Sequence, residues 1–351
     1  KFLALIYCLV ITSVGFTQRN RTPEAATIEV HFDKVLVTPH TSLVDSSLAP
    51  LIGFLHSHPE DSASWAKYVK PLRPNFWRNK DYFPEYHKWA LAYNQTFHYQ
   101  MSLAGGYPAY KEEKSHPDWP SNNYGKWTSF RTDKMVKIPE GVDNFSIDIW
   151  NEPNHETYWP DSDSTFFEMF CETVNWLNTN YPNCPVAGPS STGSTGRKFI
   201  DDLIPFMRRW KQRNPDKTLD LSMLAVHGLG QSHEDFMKDL IHLSGKVNSK
   251  EWADVGLESI IYNEYLKSSE STSFSWSLKK LEAFEKYDIK YAARACWGTC
   301  KNGSLDGLLT EDGRGGLKPT ENWYGYAAYA LITGKRYQVT NKSDLAIIAG
   351  D

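Results

Sequence analysis

The feature that most constrains this chain is a rhythm. Eight short apolar runs recur between Leu51 and Trp297, each closing on a polar or turn-forming stretch: Leu51–His56 (LIGFLH), Pro74–Arg78 (PNFWR), Thr96–Leu103 (TFHYQMSL), Phe145–Trp150 (FSIDIW), Cys184–Pro189 (CPVAGP), Leu221–His227 (LSMLAVH), Ser259–Tyr265 (SIIYNEY) and Ile289–Trp297 (IKYAARACW). Amphipathic stretches lie between and after them, at Ser164–Asn180, Arg197–Arg213, His233–Ser244, Ser273–Tyr287 and Trp323–Thr333. In the fourth of these, Trp276, Leu278, Leu281 and Phe284 fall at helical spacing and mark one buried face. Strands separated by helices pair in parallel, because a parallel neighbour needs a long crossover. Eight such units predict an α/β fold, a single (β/α)8 TIM barrel. A doubly wound open sheet is the competitor, but it places a glycine-rich phosphate turn after its first strand, and LIGFLHSH has none.

With 351 residues, 40% of them hydrophobic, the chain can bury a full core without a disulfide scaffold or structural metal. Its net charge of −4 removes the usual ground for expecting nucleic acid as a partner. The uncharged run Phe2–Phe16 (FLALIYCLVITSVGF) is too short to span a membrane and suits the core of a signal peptide, with cleavage after Thr17. Export, to the extracellular space or to a lysosome, is therefore expected, with no membrane attachment once the leader is gone. Five glycosylation acceptors agree with this: Asn20, Asn94, Asn144, Asn302 and Asn341 are each followed two positions on by Ser or Thr. Cys171, Cys184, Cys296 and Cys300 make an even set outside the leader. Short-range disulfides Cys171–Cys184 and Cys296–Cys300 are the expectation. The domain reading is a signal peptide at 1–17, a catalytic barrel at 18–335, and at 336–351 the start of a truncated β-rich accessory domain.

In a barrel of this kind the working side chains stand at the C-terminal ends of the strands. The fourth run ends in Trp150-Asn151-Glu152-Pro153-Asn154 and the seventh in Asn263-Glu264-Tyr265. Two carboxylates facing each other across a cleft are the machinery of glycoside hydrolysis. One protonates the leaving oxygen while the other attacks the anomeric carbon or activates water. An apolar, aromatic surround would disfavour the ionised form of such a Glu and keep it protonated as an acid. Asn151 adds a short amide within reach of a sugar hydroxyl. The aromatic fraction of 14% suits stacking on sugar faces, although aromatics also fill cores.

These segments resemble glycoside hydrolase family 39, a clan A (β/α)8 family that includes β-xylosidases and α-L-iduronidases. IDIWNEPNHETYW followed by a helix and CPVAGPSS resembles its fourth and fifth strands. LDLSMLAVHGLG resembles its sixth strand and IIYNEYL its seventh, and GLLTEDGRGGLKPTENWYGYAAY resembles the segment after the eighth. The similarity runs over most of Leu51–Thr333. It implies Glu152 as acid/base, Asn151 as the contact to the sugar 2-hydroxyl, Glu264 as nucleophile, and a retaining mechanism through a covalent glycosyl-enzyme. It also implies that the family's appended β-sandwich would begin near Tyr337. Two positions depart from the family pattern: His227-Gly228-Leu229 stands where His-x-Tyr is usual, and Tyr265 follows the nucleophile where Trp is common. Both border the sugar pocket, so the reaction type carries over and the substrate does not.

Further substrate-binding candidates end other strands. They are His56 and His227 as hydrogen-bond partners of the sugar, Arg78 as a charge-assisted orienter of Glu264 or Glu152, and Trp297 as a platform for a sugar face. His56-Ser57-His58 hints at a metal but lacks a third placed ligand, so neither metal nor cofactor is expected. The stretch from Gly105 to about Lys134, with Tyr107, Tyr110, Trp119, Tyr124 and Trp127, reads as a long loop walling the cleft. The partner is a carbohydrate substrate. The alternatives to a secreted retaining glycosidase are a polysaccharide lyase or transglycosylase on the same barrel, or a catalytically silent carbohydrate-binding relative.

Overall fold

The computed structural model describes residues 7–8, 28–35, 50–104, 119–121, 123–297, 303–332, 336–341 and 347–350. Eight strands form one parallel sheet: β1 (Gly53–Phe54), β2 (Phe76–Asn79), β3 (His98–Ser102), β4 (Phe145–Asp148), β5 (Val186–Ser191), β6 (Met223–Gly228), β7 (Ser259–Tyr265) and β8 (Tyr291–Arg294). Each pairs in parallel with the next, so sheet order is chain order. β8 returns against β1, where the backbones approach so closely that any side chain at Gly53 would drive into the Ala292 carbonyl. The sheet thus curls into a (β/α)8 barrel, and each of the eight apolar runs supplies one strand.

The helices are α1 (Pro84–Tyr93), α2 (Tyr124–Met135), α3 (Asp163–Asn180), α4 (Gly193–Arg213), α5 (His233–Asn248), α6 (Phe274–Lys286) and α7 (Glu321–Ala330). Their starts follow capping chemistry. Ser162 Oγ accepts from Thr165 N–H, Ser232 Oγ from Asp235 N–H and Asn123 Oδ1 from Lys126 N–H, each satisfying a first-turn donor that has no intrahelical partner. The crossover between β1 and β2 is irregular. A turn of α-helix (Ser62–Ser64) passes into a π-helical stretch (Trp65–Val69) and a 3-10 turn (Lys70–Leu72). Pro71 supplies no N–H there, and Arg73 ends the run in the left-handed region. No helix among the described residues is long and apolar enough to cross a membrane.

The barrel interior has two layers. Leu55, Phe76, Ala187, Met223, Ala225, Ile261 and Ala293 form an apolar plug separate from the main core. Further along the same strands the buried inward residues turn polar: Arg78, Gln100, Asp148, Ser190, His227 and Asn263. Since all strands run one way, this polar layer lies at their C-terminal ends.

Several expectations need correction. The aromatic stretch after β3 is not one long loop, since Tyr124 opens a helix. Trp119 and Trp127 are fully buried and pack on Trp150 at ring separations of 6.2 and 5.3 Å, so they fill core between α2 and the loop after β4 and wall no cleft. Tyr107 and Tyr110 lie outside the described residues. Cys171 and Cys184 are free: Cys171 sits in the buried face of α3, and burial pushes both thiols up, that of Cys184 to about 12. Cys296 is disulfide-bonded, and Cys300, the pairing expected for it, lies outside the described residues. Asn94 is buried, and its amide donates to the Pro74 carbonyl, which removes it as a glycosylation acceptor in the folded state.

Most of 1–17, the expected signal peptide, lies outside the described residues. The strand Arg336–Asn341 pairs antiparallel with Ile28–Val35, and Ala349–Gly350 pairs with both Tyr7–Cys8 and the start of that strand. The segment expected to open an accessory domain thus shares a small sheet with residues from the other end of the chain. Arg336 ties this sheet to the barrel through Glu285 of α6 at 2.9 Å, and Glu285 also accepts from the Tyr329 hydroxyl.

Candidate active site

Glu264 reaches the cleft because β7 breaks its own alternation. Tyr262 and Tyr265 both face the helical ring, where they pack against Phe284 at 4.8 and 5.2 Å, although they are three residues apart. The pairing with β6 slips here, from Val226 opposite Tyr262 to His227 opposite Glu264, and the pairing with β8 slips as well. One extra residue is accommodated, as in a β-bulge, and both Asn263 and Glu264 turn inward. Asn263 is fully buried; its amide donates to Gln100, Asp148 and Ser190.

Glu152 arrives by a different device. β4 ends at Asp148, and the chain turns through Glu152 with φ at +48°. A non-glycine residue held in the left-handed region costs about 1–3 kcal/mol. Here the turn is pinned by the Glu152 N–H donating to the Ser190 carbonyl at 2.9 Å. Further on, the Asn154 side chain accepts from Thr192 N–H and donates to Thr195.

Arg78, on β2, joins the two ends. Its Nη1 lies 2.7 Å from Glu264 Oε1, its Nε and Nη2 lie 2.8 and 2.7 Å from Asp148 Oδ2, and Nη2 also donates to Asn151 Oδ1 at 3.1 Å. Asp148 is wholly buried beneath the site. Burial pushes its carboxyl up, and Arg78 and the Ser190 hydroxyl at 2.7 Å only partly offset that. Removing one member of such a buried ion pair typically costs ~3–5 kcal/mol, because the other is left unpaired.

His227, at the end of β6, stands between the carboxylates with its side chain fully buried. Nδ1 is 3.0 Å from Glu152 Oε1, and Nε2 is 3.9 Å from Glu264 Oε1 and has no hydrogen-bond partner among the described residues. An oxygen of Glu152 and an oxygen of Glu264 lie within 4.8 Å of each other. Burial pushes the Glu152 carboxyl up, but the hydrogen bond and charge of His227, with help from Thr192 and Arg78, outweigh it and leave the group below the usual range. The sequence-based expectation of a raised acid is therefore reversed, because apolar surroundings are answered by a specific donor. The donor atoms of Glu152, His227 and Glu264 are also the trio among the described residues that could hold a divalent ion, with the Arg78 cation opposing one there.

Of the sequence candidates, Glu152, Glu264, Asn151, Arg78 and His227 come together. Trp297 follows β8 and is fixed by its indole N–H donating to the Leu266 carbonyl, two residues beyond Glu264. His56 is exposed and hydrogen-bonds to none of the cluster. Its neighbour His58 packs among Trp77, Phe83 and Tyr86, and burial lowers it to about 4, so these two histidines belong to no donor cluster. Three participants escape a reading by strand ends. Asp148 had a signal, a charge inside an otherwise apolar parallel strand. Ser190 had none. Tyr158 shares the segment after Glu152; burial, then the charges of Glu152 and Glu264, pushes its phenol up.

No family model matches the sequence, and no curated protein is similar to it in sequence. Solved structures do match. N2152 from Neocallimastix frontalis aligns at 20% identity and TM-score 0.61, over 90% of this chain and 74% of its own. A monomeric β-xylosidase from Caulobacter crescentus aligns at 15% identity and TM-score 0.59, over 89% and 73%. A family 39 glycoside hydrolase from Xanthomonas axonopodis pv. citri aligns at 15% and 0.58, over 84% and 70%. The chain shares the (β/α)8 barrel fold of these structures. At these identities the likeness is one of fold, and the chemistry rests on the side chains.

Proposed function

We propose that this chain is a retaining glycoside hydrolase. Glu264 attacks the anomeric carbon while Glu152 protonates the departing glycosidic oxygen. A covalent glycosyl-enzyme forms on Glu264, and Glu152, now ionised, removes a proton from the water that releases the sugar. The observation that carries this reading is the carboxylate separation. One oxygen of each lying within 4.8 Å of the other supports the roughly 5–5.5 Å spacing of double displacement over the roughly 6.5–9.5 Å of inversion.

The surroundings fit these roles. Arg78 fixes the Glu264 carboxylate through Oε1, leaving Oε2 for attack. Asn151, held by Arg78, presents its amide beside the nucleophile, where a sugar 2-hydroxyl would lie. His227, 3.0 Å from Glu152 Oε1, orients the carboxyl that hands its proton to the leaving group. Trp297 offers its ring to a sugar face. The leader-like run Phe2–Phe16 supports export as the route by which the enzyme meets its substrate.

The test is the stereochemistry of the first product. Chromogenic xylosides, glucosides, arabinosides and iduronides identify a substrate, and proton NMR of its early hydrolysis is expected to show the substrate's own anomer. Release of the opposite anomer would refute double displacement, and cleavage that leaves an unsaturated uronic end would establish a lyase.

A further inference from the structure

A second cavity, of about 310 Å³, opens on the same rim of the barrel. It is lined by the loop after β7, the end of β8, Asp306 and Gly307 beyond it, and the start of α7, and none of Glu152, Glu264, His227 or Arg78 contributes to it. Its size falls at the lower end of the range for small-molecule sites. From this cavity we infer a saccharide subsite, separate from the reaction centre, that takes a neutral sugar unit further along the substrate. The inference rests on the glycosidase reading and adds to it that the substrate is an oligosaccharide.

The chemistry of the lining selects the ligand. Arg294 is 1% exposed, and its nitrogens donate to the carbonyls of Asp306 and Ser271 and to the Ser277 hydroxyl. Among the described residues no carboxylate lies within ion-pair distance of it; the buried Asp306, which also lines the cavity, feels its charge, but the Asp306 carboxyl oxygens accept from Leu55 N–H and the Ser57 hydroxyl, so the guanidinium keeps no contact ion pair of its own. Asn322 donates its amide to the Ser271 carbonyl at 3.0 Å, which leaves Oδ1 to accept. Glu321, the first residue of α7, is exposed and unpaired among the described residues, and Thr272 is exposed beside it. Trp297 closes one side with its N–H already committed to Leu266.

An anion in this cavity would meet the carboxylate of Glu321 as well as Arg294, and an apolar molecule would strand the guanidinium and the amide. A sugar ring satisfies all of them. Its vicinal hydroxyls can donate to the Glu321 carboxylate and Asn322 Oδ1 and accept from Arg294 and Thr272, while its C–H face lies on an aromatic ring. Trp297 also connects the two places, since Leu266, which holds its indole, is two residues from Glu264. On this proposal a unit in the second cavity belongs to the same substrate chain as one at the carboxylates.

The test separates chain length from chemistry. Thr272→Trp fills the cavity from an exposed position that folding does not depend on, and Asn322→Ala removes an acceptor. The probes are 4-nitrophenyl glycosides of xylose, glucose and arabinose and the trisaccharides of the same sugars. For the sugar that is cleaved, Thr272→Trp is expected to lower kcat/KM on the trisaccharide by about tenfold or more and to leave the aryl glycoside unchanged within about twofold, with a smaller loss of the same pattern in Asn322→Ala. Equal effects on both substrates, or none on either, would overturn the subsite. Titration calorimetry of the trisaccharides into Glu264→Ala protein, with and without Thr272→Trp, gives a readout independent of turnover. Binding weakened by Thr272→Trp supports the subsite even if the covalent mechanism fails, and binding insensitive to it refutes the subsite even if that mechanism stands.

Discussion

The two carboxylates bring oxygens within 4.8 Å of each other, yet the chain builds their surroundings by opposite means. Glu264 is delivered by a slipped strand and clamped by a cation, with Arg78 at 2.7 Å and buried Asp148 behind it. Glu152 is delivered by a left-handed turn and met by an imidazole at 3.0 Å that can carry or release a proton. A permanent charge suits a group that must stay an anion until it forms a bond. A titratable partner suits a group that must gain and lose a proton within each cycle. Under the proposed mechanism, the contrast would assign the roles of two chemically identical side chains by the fixed charge beside one and the imidazole beside the other.

The strongest way to break this comparison is to remove the group assigned to bond formation. Glu264→Ala should lower turnover by several orders of magnitude while the far-ultraviolet spectrum and melting temperature stay close to wild type. Azide, occupying the vacated space, should restore activity and give a glycosyl azide of inverted anomeric configuration. A variant that keeps near-wild-type activity would remove Glu264 from the chemistry. Glu152→Ala should also lose orders of magnitude, but unequally: substrates with poor leaving groups should suffer most, and those with an acidic phenol, which needs no proton, least. If both classes fell by the same factor, Glu152 would not be the acid.

Much of this was legible in the sequence because two periodicities coincide. Strands buried on both faces read as apolar runs, so all eight could be found, and a Glu just past such a run stands out against them. What stayed hidden depends on register and depth. The bulge at Tyr262–Tyr265 is a slip between strands, and only the packing partners of the two tyrosines reveal it. Trp119 and Trp127 read as cleft wall because an aromatic in a long inter-element stretch looks alike whether it faces solvent or core; their burial against Trp150 comes from contacts distant in sequence. His56 ends its strand as His227 does, yet one is exposed and the other fully buried, since β1 is only two residues long and the chain has already left the barrel wall at His56. The direction of the Glu152 shift was misread for a related reason. Apolar neighbours are visible in sequence, whereas the one donor that outweighs them lies 75 positions away.

Arg78 tests the clamp itself. Arg78→Lys keeps the charge but loses the planar fork that reaches Glu264, Asp148 and Asn151 together. Activity should fall by roughly 10²-fold, with the loss in kcat exceeding any rise in KM, and Asp148, left with a weaker partner, should lower the melting temperature. Loss of stability with full activity in the surviving folded protein would make Arg78 a structural residue only.

The smallest expected change is also the most discriminating, because it concerns where a rate falls and not only how far. His227→Asn removes the hydrogen bond and the charge that pull Glu152 below the usual carboxylate range, and leaves the burial that pushes it up. The sign follows directly. In the wild type the depressed Glu152 gives up its proton early as pH rises, so the alkaline limb of kcat/KM begins early. In the variant the carboxyl keeps its proton to higher pH and that limb moves upward, even though the maximum rate drops by roughly tenfold with the loss of positioning. The same change alters stability in acid. A depressed carboxyl contributes stability that is present above its unfolded value and lost as pH falls through the folded one, so the variant should lose less stability than wild type on acidification. A limb that stays in place, with only the rate reduced, would mean that His227 orients Glu152 without setting its proton affinity, and the contrast between a fixed charge and a titrating one would then rest on Arg78 alone.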